Sequence, residues 1–267
     1  MAKLNFGIIA GIFLLVLGCA SQPEEKPREV SRERTVATSL DSLMSDLTPR
    51  DSRPVFLGIS PRLRDRDEEE DRAILHVAEQ ASRYTRLAAR YRLVTQRGGR
   101  SADLLDDIIT DWDPDYAETL VEHVEVLQSF QDHQGTYIVA AVSQVPPAPQ
   151  VQLGGSARDG EPEWVNRPPA IPGFLVTVGT TLRSHRLRNS IDTADQDALK
   201  DILLLSGASV RTLEDRRDVD RVGTFEQTIG AQEASAVLSQ FLVLARHTSA
   251  DGRYFYSLVV AREDPGQ

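Results

Sequence analysis

The sequence predicts an α+β fold of two tandem small domains, each strand, helix, strand, short helix and hairpin, with one helix face laid on a sheet. Three observations predict it. Short apolar runs of period 2 alternate with longer stripes at helical spacing. A Pro- and Gly-rich stretch at residues 144–172 divides the chain. Residues of one half also recur in the other at a nearly fixed distance. Gly58 and Gly179 stand 121 apart (179 − 58), as do Val55 and Val176, Leu57 and Val178, Arg62 and Arg183, and Ala73 and Ala194. At the hairpins Gly135 pairs with Gly252, Tyr137 with Tyr254 and Val142 with Val259, now 117 apart, a net loss of four residues. Two copies are too few for a solenoid. The expected organisation is therefore a repeat at 55–143, a linker at 144–172 and a second repeat at 173–263.

Residues 1–18 have the layout of a signal peptide. Lys3 and the amino terminus form a positive head, an apolar middle follows, and small residues precede Cys19. The apolar run is too short for a spanning helix, which needs about 20 residues. The segment Val16-Leu17-Gly18-Cys19 resembles the bacterial lipobox. That resemblance implies cleavage before Cys19 and lipidation of Cys19 with palmitate-type chains on its thiol and new amine. Ala20, where an Asp would retain the protein, implies by resemblance to proteobacterial lipoproteins an outer-membrane, periplasm-facing location. The plain alternatives are an ordinary signal peptide cut elsewhere or a buried N-terminal helix.

Cleavage there leaves 249 residues (267 − 18), enough for one large or two small domains. The formal charge of −10 becomes −11 without Lys3, which argues against a nucleic-acid partner, since that needs a basic footprint. Cys19 is the single cysteine, so its acylation leaves no disulfide, no thiolate zinc site and no cysteine nucleophile.

Residues 19–54 read as an acylated flexible tether. Pro23, Pro27, Pro49 and Pro54 and a wealth of Glu, Arg and Ser leave little apolar surface to offset ordering entropy. Val36, Leu40, Leu43 and Leu47 fall at helical spacing, which fits either a short docking helix or a transient one.

Residues 55–60 alternate as a strand, with Val55, Leu57 and Ile59 on one face. An acidic run at 65–71 opens a helical stripe through Ile74, Val77, Ala78, Ala81, Tyr84 and Ala88, with Arg83, Arg86 and Arg90 toward its end. Both charge placements favour the helix dipole. Residues 90–96 suggest a strand before Gly98-Gly99, and 102–110 a short helix. Asp111, Asp113, Asp115 and Glu122 occupy positions 1, 3, 5 and 12 of a calcium loop, but Tyr116 stands where the sharp turn needs Gly. The competing reading makes Asp113 an N-cap and Pro114 the first residue of a helix. Residues 123–130 and 136–142 form a hairpin near Gly135.

In the second half, 174–180 is a strand, and Ile191, Ala194, Ala198, Ile202 and Leu205 make a helical stripe closed by Gly207. Residues 209–213 suggest a strand, 225–237 a partial helix weakened by Gly230, and 240–246 with 254–261 a hairpin across Asp251-Gly252.

Pro162, Trp164 and Val165, a Pro-rich step, then an apolar strand ending at Val178-Gly179 and the Ala194/Ala198 helix resemble the twenty-kilodalton bacterial lipoprotein family (the Lpp-twenty type). The pattern covers about the last hundred residues, a normal domain size. The first half departs from it, with no Trp at the place of Trp164 and a more charged helix. The resemblance implies an outer-membrane lipoprotein without known catalysis, and no active-site residues.

The residues themselves point the same way. His76, His123, His133, His185 and His247 show no metal-ligand spacing, and no nucleophile elbow or phosphate loop is present. The expectation is a non-catalytic protein with no cofactor and no metal site, whose partners are the membrane, through acyl chains on Cys19, and an envelope protein or peptidoglycan. Sheet edges could add a partner strand, and Trp164 and Tyr254 to Tyr256 could supply contact area, although a plug closing its own domain suits Trp164 better. The alternatives are a structural envelope role and a hydrolase with an unrecognised site.

Overall fold

A computed structural model describes residues 35–98, 101–155, 160–206, 211–218 and 226–264. Cys19, the expected signal peptide, the first part of the expected tether, Gly99 and Gly207 lie outside the described residues.

Strand β1 (Thr35–Val36) leads into helix α1 (Leu40–Met44). Ser39 caps α1 by accepting from the Ser42 N–H at 3.1 Å. Leu43, Met44 and Leu47 are buried, and the Leu47 N–H donates to the Leu244 carbonyl at 2.9 Å. The expected tether therefore stops short of residue 54. Of the expected stripe only Leu40 and Leu43 lie in this docked helix: Val36 belongs to β1 and is exposed, and Leu47 follows the helix end, where it joins Leu43 and Met44 in the core.

Strand β2 (Val55–Pro61) feeds helix α2 (Arg66–Thr85), which Asp65 caps and Asp67 and Glu68 open. Strands β3 (Leu87–Gly98) and β4 (Ser101–Asp111) form a hairpin from Ala88↔Asp111 to Gly98↔Ser101, correcting the short helix expected at 102–110. Helix α3 (Pro114–Leu120) begins as the capping reading requires: the Tyr116 N–H donates to the Asp113 carboxylate at 3.0 Å and Pro114 sits in the first turn. After a 3-10 turn, β5 (Val124–Gln131) and β6 (Gly135–Val142) make the first terminal hairpin. Short helix α4 (Glu163–Asn166) buries Trp164. Strand β7 (Leu175–Leu182), helix α5 (Leu187–Leu205), β8 (Arg211–Asp218), β9 (Glu226–Thr248) and β10 (Tyr254–Glu263) complete the chain. The partial helix expected at 225–237 is the first half of β9, in strand conformation from Glu226.

The fold is α+β with two sheets, ordered β1-β5-β6-β2 and β4-β3-β9-β10-β7, with β8 also on β9. The two halves share the second sheet. Strand β3 pairs antiparallel with β9 from Leu87↔Leu238 to Arg97↔Thr228. The expected division into separate domains at 144–172 thus gives way to one unit beginning at Arg34.

The repeat itself is visible as matched local geometry. In each half the first strand pairs antiparallel with the last, and the last with the one before it. A Cβ at Gly58 would lie 2.2 Å from the Ala73 carbonyl oxygen, and one at Gly179 would lie 1.8 Å from that of Ala194. The Ile59 N–H donates to His76 Nδ1 at 3.0 Å, and the Thr180 N–H to an Asp197 oxygen at 2.9 Å. The Leu63 N–H donates to Glu69, and the Ser184 N–H to the Ser190 hydroxyl, each at 2.8 Å. All of these partners stand 121 apart. The hairpin pairing expected at 117 needs one correction. Gly58 faces Ile138 and Gly179 faces Ser257, so the last strands match at 119 (257 − 138). Tyr137 therefore corresponds to Tyr256 rather than Tyr254. The second hairpin turn is two residues longer, and an even slip leaves every side chain on its face.

Two cores result. Phe56, Ile138 and Ala140 of the first sheet meet Ala73, Val77 and Ala81 of α2, joined there by Leu242, Leu258 and Val260 of the second sheet. Val55, Leu57 and Ile59, on the opposite face of β2, join Ile191, Ala194 and Ala198 of α5 with Phe255 and Val259. Each sheet thus carries its own helix on one face and gives its other face to the core of the other helix.

A charged cleft between the two long helices

The interleaving sets α2 and α5 on either side of a cleft of about 360 Å³, floored by Leu57, Ile59 and Val243. On α2 the lining residues His76, Glu79, Gln80 and Arg83 recur at helical spacing, so they share one face. Arg188, Asp192 and Asp195 do the same on α5. Arg246 enters from β9.

Arg246 donates from Nη2 to Asp195 Oδ2 at 2.7 Å, and its side chain is 2% exposed. Its Nε and Nη1 have no partner among the described residues, and neither has Asp195 Oδ1. A buried donor left unmade costs about 1–3 kcal/mol. Arg188 lies 3.7 Å from Asp192 one turn on. The Arg83 guanidinium stacks 4.7 Å from the centre of the Trp112 ring, and its Nε is also buried and unpartnered among the described residues. Burial pulls the Arg83 pKa below its usual value, while Glu79 and Asp192 oppose that pull. Burial pushes the Asp192 carboxyl up.

His76 takes a fixed form. Its Nδ1 accepts the Ile59 N–H, which leaves the ring proton on Nε2. Burial, then the positive charges of Arg188, Arg83 and Arg246, lower its pKa to about 3. The ring is neutral at any physiological pH. The cleft accordingly offers donors on three arginines, acceptors on three carboxylates and a neutral imidazole.

The chemistry-bearing residues singled out from the sequence lie elsewhere. Cys19 is outside the described residues. Asp113 spends its carboxylate on capping α3, and no cluster of three or more His, Cys, Asp or Glu able to hold a metal occurs among the described residues. Trp164 is 4% exposed, in keeping with a plug. Tyr254 is partly exposed, and His247 stacks on Tyr256 at 6.5 Å. His133 and His185 face a second hollow of about 580 Å³ that shares Ile59 and Arg188 with the cleft. No helix among the described residues is long and apolar enough to cross a membrane.

Sequence reasoning missed Arg188, Asp195 and Arg246, and took Arg83 for a dipole partner only. The one available signal was the amphipathic α5 stripe, whose polar flank carries Arg188, Asp192 and Asp195 at i, i+4 and i+7. Comparisons with protein-family models, curated proteins and solved structures each return no match.

Proposed function

We propose that this chain is a non-catalytic bacterial envelope lipoprotein, anchored by acyl chains on Cys19 and displaying an interaction or assembly module to the periplasm. The observation that carries the reading is the leader: a positive head, an apolar run and Val16-Leu17-Gly18-Cys19 in succession. It is supported by a folded unit that begins close behind the anchor, at Arg34. The resemblance to the twenty-kilodalton lipoproteins and the Ala20 rule favour the outer membrane as the site.

Two or more acyl chains hold a protein that one would hold only reversibly, at about 0.8 kcal/mol per buried methylene. Cys19→Ser should therefore release the protein from membranes and abolish incorporation of labelled palmitate. A Cys19→Ser protein that still sediments with membranes after a high-salt wash would end the lipoprotein reading. Affinity capture from solubilised envelope then separates the roles: a reproducible protein partner supports assembly, and peptidoglycan alone supports a structural part.

A further inference from the structure

The cleft between α2 and α5 has a property that the anchor does not explain. Its charges are not inherited from the repeat. Arg246 faces Ser257 on β10, and the corresponding position of the first half is Ser129, facing Ile138 on β6. Asp195 and Arg188 correspond, 121 residues back, to Ile74 and Asp67. The ion pair arises only where the second half turns toward α2.

What the cleft leaves open is specific. Arg246 is 3% exposed and lines the cleft with Nε and Nη1 unpartnered among the described residues. Arg83 Nε adds a third buried, unpartnered donor, and Asp195 Oδ1 a buried, unpartnered acceptor, among the described residues. A ligand that satisfies both sets carries an acceptor group and a donor group within one small body. Charge balance narrows this further. Arg83, Arg188 and Arg246 are matched in number by Glu79, Asp192 and Asp195, so a ligand of large net charge would leave an uncompensated charge in a buried place. A cavity of about 360 Å³ is at the small end of ligand sites, the size of an amino acid or a dipeptide.

We infer that the α2/α5 cleft binds a small zwitterion bearing a carboxylate and a protonated amine, with Arg246 and Arg83 receiving the carboxylate and Asp195 the amine. The apolar floor of Leu57, Ile59 and Val243 then takes an aliphatic side chain. His76, held as the Nε2–H tautomer, contributes a neutral polar wall that repels neither end of the ligand. The inference does not depend on the anchor: a soluble chain would have the same cleft.

The test is calorimetric titration of the full chain, purified in mild detergent, with four single probes: alanyl-alanine, its N-acetyl derivative, its C-terminal amide and inorganic phosphate. The expected result is saturable binding of alanyl-alanine, with both blocked derivatives and phosphate at least about tenfold weaker. Arg246→Met and Asp195→Asn should each weaken the dipeptide by about tenfold or more while circular dichroism stays unchanged. If those two variants fail to fold, Arg188→Gln serves, since Arg188 lines the cleft, is half exposed and has its ion pair among the described residues along its own helix; removing one of the cleft's three positive charges should weaken binding of the carboxylate several-fold. Three results overturn the inference: N-acetyl-alanyl-alanine or phosphate binding as tightly as the free dipeptide, no heat from alanyl-alanine at about 10 mM, or unaltered dipeptide affinity in the folded variants.

Discussion

Replacing Gly179 by alanine should destabilise the protein more than the same change at Gly58, and both should do so through one mechanism. The Cβ would meet the Ala194 carbonyl oxygen at 1.8 Å and the Ala198 nitrogen at 2.6 Å; at Gly58 the nearest atom is the Ala73 carbonyl oxygen at 2.2 Å. These are helix backbone atoms, which cannot rotate away. Restoring a contact of about 3.5 Å would push α5 back by about 1.7 Å, and α2 by about 1.3 Å. α5 resists such a retreat, because Thr177 Oγ1 donates to the Ala198 carbonyl at 3.0 Å and the Thr180 N–H to Asp197 at 2.9 Å. Overpacking of this kind costs about 1–3 kcal/mol, against a gain of about 0.4–1 kcal/mol from a stiffer unfolded chain. The net expectation is about 2 kcal/mol for Gly179→Ala and about 1 kcal/mol for Gly58→Ala. Urea unfolding followed by far-ultraviolet circular dichroism measures both. Because β3 of the first half is a strand of the second sheet, each variant should unfold in a single transition. A Gly179→Ala midpoint at or above that of the parent, or two resolved transitions, would refute the packing argument.

Other predictions concern acid, the amino-terminal segment and the plug. Burial raises the Glu69 carboxyl, but the Leu63 N–H, Thr136, Arg62 and Arg66 outweigh it and hold the pKa at about 2. Glu69 thus contributes stability above its unfolded value near 4.5, lost as pH falls toward 2. His76 binds no proton in the fold until about pH 3, whereas the unfolded chain takes one below about 6.5, so it too makes stability fall with acid, over 6.5 to 3. In thermal melts against pH, Glu69→Gln should flatten the loss below 4.5 and His76→Gln the loss above it. A chain starting at Val55 lacks Leu43, Met44 and Leu47 and should melt at least about 10 °C lower than one starting at Arg34, since each lost leucine-sized side chain is worth about 2 kcal/mol or more. Trp164→Ala should cost about 3–5 kcal/mol in urea unfolding.

Where side chains alternate against a local partner, the sequence was a good guide. β2, β6, β7 and β10, the stripes of α2 and α5, and the near-constant spacing of the repeat were all legible, the strands as short apolar runs; β2 and β6 are buried on both faces, so their alternation separates two cores rather than core from solvent. Two elements misled. Leu104, Leu105, Ile108 and Ile109 fall at i, i+1, i+4 and i+5, a helical spacing, yet they form a strand because β3 offers them a ladder. The Ala- and Gln-rich start of β9 has no alternation strong enough to announce a strand, and its partners stand about 140 residues earlier in the chain. The cleft was invisible for the same reason. Arg83 and Arg246 become neighbours only through the packing of α2 against the second sheet, and no spacing along the chain encodes that.

The ladder between β3 and β9 also sets the order in which the chain can be completed. Leu87 waits for Leu238, and Arg97 for Thr228. A nascent chain that has released its first half holds a twelve-residue strand whose second edge has no mate until most of the second half has emerged. Such an edge is a template for pairing with a neighbouring chain. Long-range antiparallel closure is slow, and the exposed interval is correspondingly long. A protein built this way gains from being kept unfolded until the whole chain is available, so its yield should depend on holding factors during synthesis more than on the stability of the finished fold.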